Sequence, residues 1–174
     1  MFRRSLRVLA ATGAALVTFG LAAGPAVAAT DSGWAPVGPS PDEQVRACGT
    51  TLTVSEVVNE VEMRTREDDQ GNTRTDIRGR YVVKVTAPDG RKVRLNNSGP
   101  YSVFDYANGD TFVTVAAPGL IYPFDPAERA AFKAAGLPAV FYYTKGRLDL
   151  SIKNGVEKVV HKPADPVNIC KLLR

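Results

Sequence analysis

Histidine occurs once in the 174 residues, at position 161, tryptophan once, at 34, and cysteine twice, at 48 and 170. A lone histidine leaves a serine or cysteine nucleophile without its usual general base, and His161 sits in VVHKPADP at the exit of the last strand-like segment with no nucleophile assignable to it. No residue is therefore assigned to catalysis. Nor does any motif assign a cofactor, and the one stretch that gathers acidic residues, EDDQGN (67–72), lacks the alternating acidic spacing of an EF-hand loop. It is read as a hydrophilic hairpin tip, and no metal is expected.

Long apolar runs are also scarce. The one candidate lies in residues 1–29, MFRRSLRVLAATGAALVTFGLAAGPAVAA, where it is thinned by glycines, broken by Pro25 and short of the ~20 residues of a spanning helix. Arg3, Arg4 and Arg7 precede it and small residues at Ala26, Ala28 and Ala29 follow. That is the layout of a cleavable secretory signal, with cleavage expected after Ala28 or Ala29. The residues after Arg3-Arg4 fit twin-arginine export poorly, so general secretion is expected. The mature chain is expected to be extracellular, soluble and monomeric, without a transmembrane anchor.

A strong charge of one sign is missing as well. The whole chain carries 22 Lys+Arg against 18 Asp+Glu, but three arginines and no acids fall in residues 1–29, leaving 19 against 18. A globally basic protein that seeks nucleic acid is not supported, and none is expected as a partner.

What remains is the length of one ordinary domain. Residues 30–47, TDSGWAPVGPSPDEQVRA, are rich in Pro, Gly, Ser and acidic residues and show no periodicity; they read as a flexible arm carrying Trp34 as a loosely packed aromatic. From 48 to 174 short alternating segments are separated by turn signals: DDQGN (68–72), PDG (88–90), NG (108, 109), KG (145, 146) and NG (154, 155). This pattern predicts an antiparallel all-β domain.

Folding about Gln70 to Asn72 pairs Val61 with Tyr81, Met63 with Gly79 and Val57 with Val85 on one face, and sets Glu62 against Arg80 and Arg66 against Asp76 on the other. Turning about Asp89 pairs Val85 with Val93 and Val83 with Leu95. A bulge is expected between Val54 and Val57, where the alternation slips. The segment YSVFDYANGDTFVTVAA is apolar on both faces and is expected to be covered on both sides.

DPAERAAFKAAG (125–136) predicts the one helix, near 126–135, with Asp125 as N-cap, Pro126 in the first turn, Glu128 completing a capping box, Gly136 at the end and Phe132 as apolar anchor. After it, Phe141 and Tyr143 are expected to face Leu148 and Leu150 across the KG turn. With the Pro-bounded LIY (120–122) left out, about eight strands are expected. In an exported chain the two cysteines are expected to bond to each other. Cys48 precedes the first strand and Cys170 follows the last, which suits an up-and-down β-barrel whose end strands adjoin; a two-sheet β-sandwich is the alternative.

Two groups of residues carry candidate binding chemistry. RTDIRGRYVVKVTAPDGRKVR gathers cations on adjoining strands, with Arg78, Arg80, Lys84 and Arg94 as a candidate polyanion patch and Lys84 beside Arg94 on the outward face. The tyrosines and phenylalanines cluster in the second half, and Tyr101, Asp105 and Tyr122 are the candidates for polar groups lining a ligand pocket.

The residues ACGTTLTV (47–54), RGRYVVKVTAPDGRKVRLNNSGP (78–100), GRL (146–148) and VNICKLL (167–173) together resemble a family of small secreted, two-cysteine β-rich proteins of high-GC Gram-positive (actinobacterial) bacteria. The chain departs from that pattern in KGR at 145–147 and in the alanine-rich helix. The resemblance implies export, a disulfide and a β fold, and brings no active site. Three function classes follow: a secreted β-barrel protein that binds a small apolar molecule or an anionic polymer of the cell envelope; a small barrel enzyme of isomerase or cyclase type using enclosed Tyr and Asp; and a structural or interaction protein of the envelope.

Overall fold

The computed structural model describes residues 33–173; the expected signal segment, 1–29, lies outside the described residues. In chain order the elements are β1 (Ala35–Pro36), β2 (Glu43–Ala47), β3 (Thr50–Glu67), β4 (Thr73–Thr86), β5 (Lys92–Asn96), β6 (Tyr101–Asp105), β7 (Thr111–Ala116), β8 (Gly119–Ile121), α1 (Pro126–Ala134), β9 (Phe141–Tyr143), β10 (Arg147–Lys153), β11 (Val156–His161), β12 (Val167–Asn168) and α2 (Ile169–Leu172). The chain is predominantly antiparallel β, as its alternation predicts.

Nine strands share one sheet, in the order β1-β3-β4-β6-β7-β10-β11, with β2 also on β3 and β5 also on β4. A second sheet has the order β12-β9-β8. β1 and β11 stand at opposite edges of the large sheet, so it stays open and the expected barrel is not formed. The arrangement is sandwich-like. Two segments account for the difference. LIY, left out of the strand count, contributes β8, and β9 does not fold back on β10 across the KG turn. Asp165 captures that turn instead: its carboxylate accepts from the Thr144 and Lys145 N–H groups (3.2 and 3.1 Å) and from the Thr144 hydroxyl (2.8 Å). The chain thus crosses from one sheet to the other, and Phe141 and Tyr143 meet Leu148 and Leu150 across the layers, in one shared core.

β3 and β4 are long enough to serve two neighbours each. β2 pairs with the start of β3 and β1 with its later part; β6 pairs with the start of β4 and β5 with its end. β2 lies inside the segment expected as an aperiodic arm, so paired structure begins before residue 48. The β4–β5 register is the expected one, Val85 with Val93 and Val83 with Leu95. The β3–β4 register is displaced by two residues, with Val61 on Gly79, Met63 on Ile77 and Glu62 on Arg78. Its bulge falls between Glu56 and Val58 and turns Val57 out to solvent.

One face of the large sheet carries both cores. The first gathers Leu52, Val83, Val85, Leu120 and Ile169, and the second gathers Val113, Phe132, Phe141, Tyr143 and Leu148. α1 packs against β11 and drives Phe132 into the second core. Its N-cap is the expected one, the Asp125 carboxylate accepting from the Glu128 N–H at 2.8 Å, but Glu128 reaches one residue further back than a capping box does and accepts from the Phe124 N–H at 2.9 Å. Phe104 and Phe112 lie on the opposite face, half-buried. They are not roofed by a second layer as expected; the Arg74 guanidinium lies 4.8 Å over Phe104 instead.

Cys48 and Cys170 are bonded, with Cα atoms 5.5 Å apart. Cys48 occupies the tight turn between β2 and β3, where it and Gly49 both have positive φ, and Cys170 lies in α2. The bond therefore ties a tip of the large sheet to the element that follows the second sheet. It does not clip adjoining first and last strands, because β11 lies at the far edge from β3.

Candidate anion-binding groove

β4 changes partner partway along its length. Residues 73–77 pair with β6 and residues 82–86 with β5, so Arg78 to Tyr81 stand in a fork between the two. The loop from Asn96 to Ser98 holds the fork open: Ser98 Oγ accepts from the Tyr81 N–H at 2.9 Å and donates to Asn96 Oδ1 at 2.5 Å, and the Asn97 N–H donates to the Tyr81 carbonyl at 2.8 Å. Gly79 forms the floor because nothing larger fits. Its φ is +122°, and a Cβ there would come within 2.2 Å of the Glu60 carbonyl oxygen.

The result is an open groove of about 610 Å³ lined by Gly79, Arg80, Val82, Arg94, Asn96 and Ser98. Val82 gives it an apolar floor and the two arginines give it charge. Among the described residues Arg94 makes no ion pair, and Lys84 stands directly across from it in register. Like charges so placed are mildly unfavourable, and an anion between them relieves the repulsion. Arg80 lies 3.7 Å from Glu60, and both side chains are more than half exposed, so that pair is weak. Asn96 Oδ1 is committed to Ser98, which leaves its NH₂ group as the donor side of the amide.

The cationic line continues along the same face of β4. Arg78 pairs with Glu62 at 3.0 Å. Further on, three guanidinium groups converge on one carboxylate: Arg64, Arg66 and Arg74 lie 3.6, 2.9 and 2.8 Å from Asp76. Burial works against ionisation of Asp76, but bonds from Ser102, Arg74 and Arg66 outweigh it and hold the group below the usual carboxylate range. One anion against three cations leaves a local excess of positive charge. Trp34 lies in this line and is 9% exposed, with Arg64 at 4.5 Å and Arg78 at 3.9 Å from its ring centre. It is packed by cation–π contact and not loosely held as expected. From Lys84 to Arg74 the strip runs about 33 Å at the rise of a β-strand.

The expected patch is thus brought together: Arg80 and Arg94 share the groove, Lys84 adjoins Arg94, and Arg78 leads on to the arginines around Asp76. Sequence reasoning set Arg66 against Asp76 but did not single out Arg64 or the contacts of Trp34, which reaches this line only once β1 lies beside β3. The signal available was the alternation of Arg64 and Arg66 with Arg74 and Arg78 on facing strands. At the EDDQGN tip, Asp68 spends its carboxylate within the turn, accepting from the Gln70 and Asn72 N–H groups and the Asn72 side-chain amide.

The three pocket candidates do not converge: Tyr101 and Tyr122 lie in different cores and Asp105 in neither. Tyr101 is buried in the second, its hydroxyl has no partner, and burial, then the charges of Glu128 and Asp105, push its pKa up. Asp105 ends β6 and accepts from the Thr111 hydroxyl at 2.7 Å. Tyr122 belongs to the first core, where its hydroxyl donates to Glu43, while Tyr81 donates to Glu56 at 3.1 Å. Burial pushes Glu43 up, partly offset by the bond from Tyr122 and reinforced by the charge of Glu56. Glu43 and Glu56 escaped sequence reasoning because one sits in the supposed arm and the other at the bulge.

Compared with family models, curated proteins and solved structures, the chain finds no match.

Proposed function

We propose that the protein is a secreted binding protein that holds an anionic polymer of the cell envelope along the open face of its large sheet. The observation that carries this reading is the groove at the β4 fork, where, among the described residues, Arg94 has no acidic partner and faces Lys84, and Arg80 has only a weak one. A strip of cations about 33 Å long suits an extended polymer better than a compact ligand. The Cys48–Cys170 bond fits the oxidising compartment to which the signal-like segment directs the chain. Small-ligand binding in the interior is less supported, because Tyr101 and Tyr122 occupy different cores.

The test uses long-chain polyphosphate and poly-glutamate as probes, with Trp34 emission as the readout, since the indole lies against two arginines of the strip. Binding is expected at low ionic strength and to weaken as salt rises. Arg80→Glu with Arg94→Glu is expected to lower affinity about 100-fold, the effect of two charge reversals at one contact. Affinity unchanged by salt or by this double substitution would overturn the reading.

A further inference from the structure

We propose that Glu128 and Glu157 form a proton-binding pair at the seam of α1 and β11, in which protonation of Glu128 latches α1 onto β11 and closes the second core. Glu128 is 0% exposed. The capping arrangement fixes its place, because Oε2 accepts from the Phe124 N–H, yet Oε1 is buried without a partner. Glu157, on the strand that α1 packs against, likewise has a buried and unpartnered Oε2, and Tyr101 presents an unpartnered hydroxyl from β6. Orphan carboxyl oxygens thus sit on both of the elements that pack together, and Tyr101 shares the core that α1 covers through Phe132.

Among the described residues neither glutamate has a cation to balance it. α1 and its cap contribute Asp125, Arg129 and Lys133, β11 contributes Lys158 and His161, and β6 contributes Tyr101 and Asp105; none of the basic groups pairs with Glu128 or Glu157. The charges that do act on Glu128 are those of Glu157 and Asp125, both negative. A fully buried carboxylate that feels two further acids and no counter-ion is strongly unfavourable, and a proton on Glu128 removes that charge.

The titration behaviour agrees with the geometry. Burial above all, opposed by the Phe124 bond and reinforced by Glu157 and Asp125, pushes Glu128 up to about 8. Burial and Asp125 push Glu157 up to about 7. Both folded values lie above the ordinary one of 4.5, so the stabilisation is complete below that value and is lost as pH rises through 7 to 8. Above that range α1 is expected to lift from β11 while the β3–β4 hairpin stays paired.

Hydrogen exchange of the full chain, corrected for the intrinsic pH dependence of exchange, tests this at pH 6 and pH 9. The amides of α1 are expected to exchange at least about 10-fold faster at pH 9, with β3 and β4 unchanged. Glu128→Gln with Glu157→Gln keeps the acceptor for Phe124 and removes both titrations, so this contrast is expected to vanish. Carboxyl-carbon NMR gives a second readout that needs one substitution only: Glu157→Gln is expected to lower the Glu128 midpoint by about one pH unit or more. A wild-type Glu128 that titrates near 4.5, a midpoint indifferent to Glu157→Gln, or exchange at α1 that is the same at both pH values would overturn the proposal.

Discussion

Replacing Cys48 and Cys170 together by alanine is expected to lower the melting temperature by about 15 °C. The bond closes a loop with a sequence separation of 122. On the chain-entropy account a loop of that length contributes about 5 kcal/mol, which for a domain of this size corresponds to roughly that shift. Local structure points the same way. Cys48 has φ +58° in a two-residue hairpin turn, a conformation that favours asparagine and glycine, and the bond holds it there. The loss should therefore appear first at the β2–β3 tip and at α2, seen as early exchange of their amides, before the rest of the large sheet opens. A fall of less than about 3 °C would show that packing alone holds the second sheet and α2 in place.

The second large effect is expected at Phe132. Its side chain is fully buried, it meets Phe141 edge-on at 5.7 Å, and it is the anchor by which α1 reaches Val113 and Leu148 in the second core. Phe132→Ala removes that contact and leaves a cavity beneath a helix too short to re-anchor elsewhere, at a cost of about 3–5 kcal/mol. Phe124, exposed just before the same helix, provides the contrast; Phe124→Ala should change stability by no more than about 0.5 kcal/mol. Chemical denaturation of the two variants beside the parent measures both. Equal effects would contradict the assignment of Phe132 as the anchor.

The parts of the fold that were legible are those fixed by local chemistry. PDG sets the β4–β5 turn, and its register follows. Asp125, Pro126 and Gly136 delimit α1. The β3–β4 register slipped by two residues for a specific reason. Displacement by an even number keeps every side chain on its own face, so apolar patterning cannot detect it. Charge cannot detect it either, because Glu62 meets an arginine whether it faces Arg78 or Arg80. The turn itself decides: Asp68 caps the N–H groups of Gln70 and Asn72, Gly71 takes φ +77°, and Glu67 then pairs with Thr73.

Closure was not legible, because it depends on where β8 and β9 go. Both segments are three residues long. Their departure to a second sheet is governed by long-range contacts, among them Asp165 on the KG turn and the Tyr143 hydroxyl, which donates to the Val115 carbonyl at 2.8 Å. β2 was hidden for a related reason, since in EQVRA only Val45 is buried and one apolar residue makes no alternation. The candidate groove was half legible. Arg80, Lys84 and Arg94 share a face by simple period-two counting on either side of a turn of known type. The fork that makes their surface concave needs β6 to displace β5 along β4, which no local pattern states.

Binding to the open face is the central claim, and amide chemical-shift mapping of the ¹⁵N-labelled protein during titration with a short polyphosphate tests it most directly. The account predicts that the largest shifts fall on Gly79 to Lys84 and Arg94 to Ser98, followed by Arg74 to Arg78 and the Trp34 indole. Shifts concentrated around Cys48 and Cys170, or no shifts at low ionic strength, would contradict it.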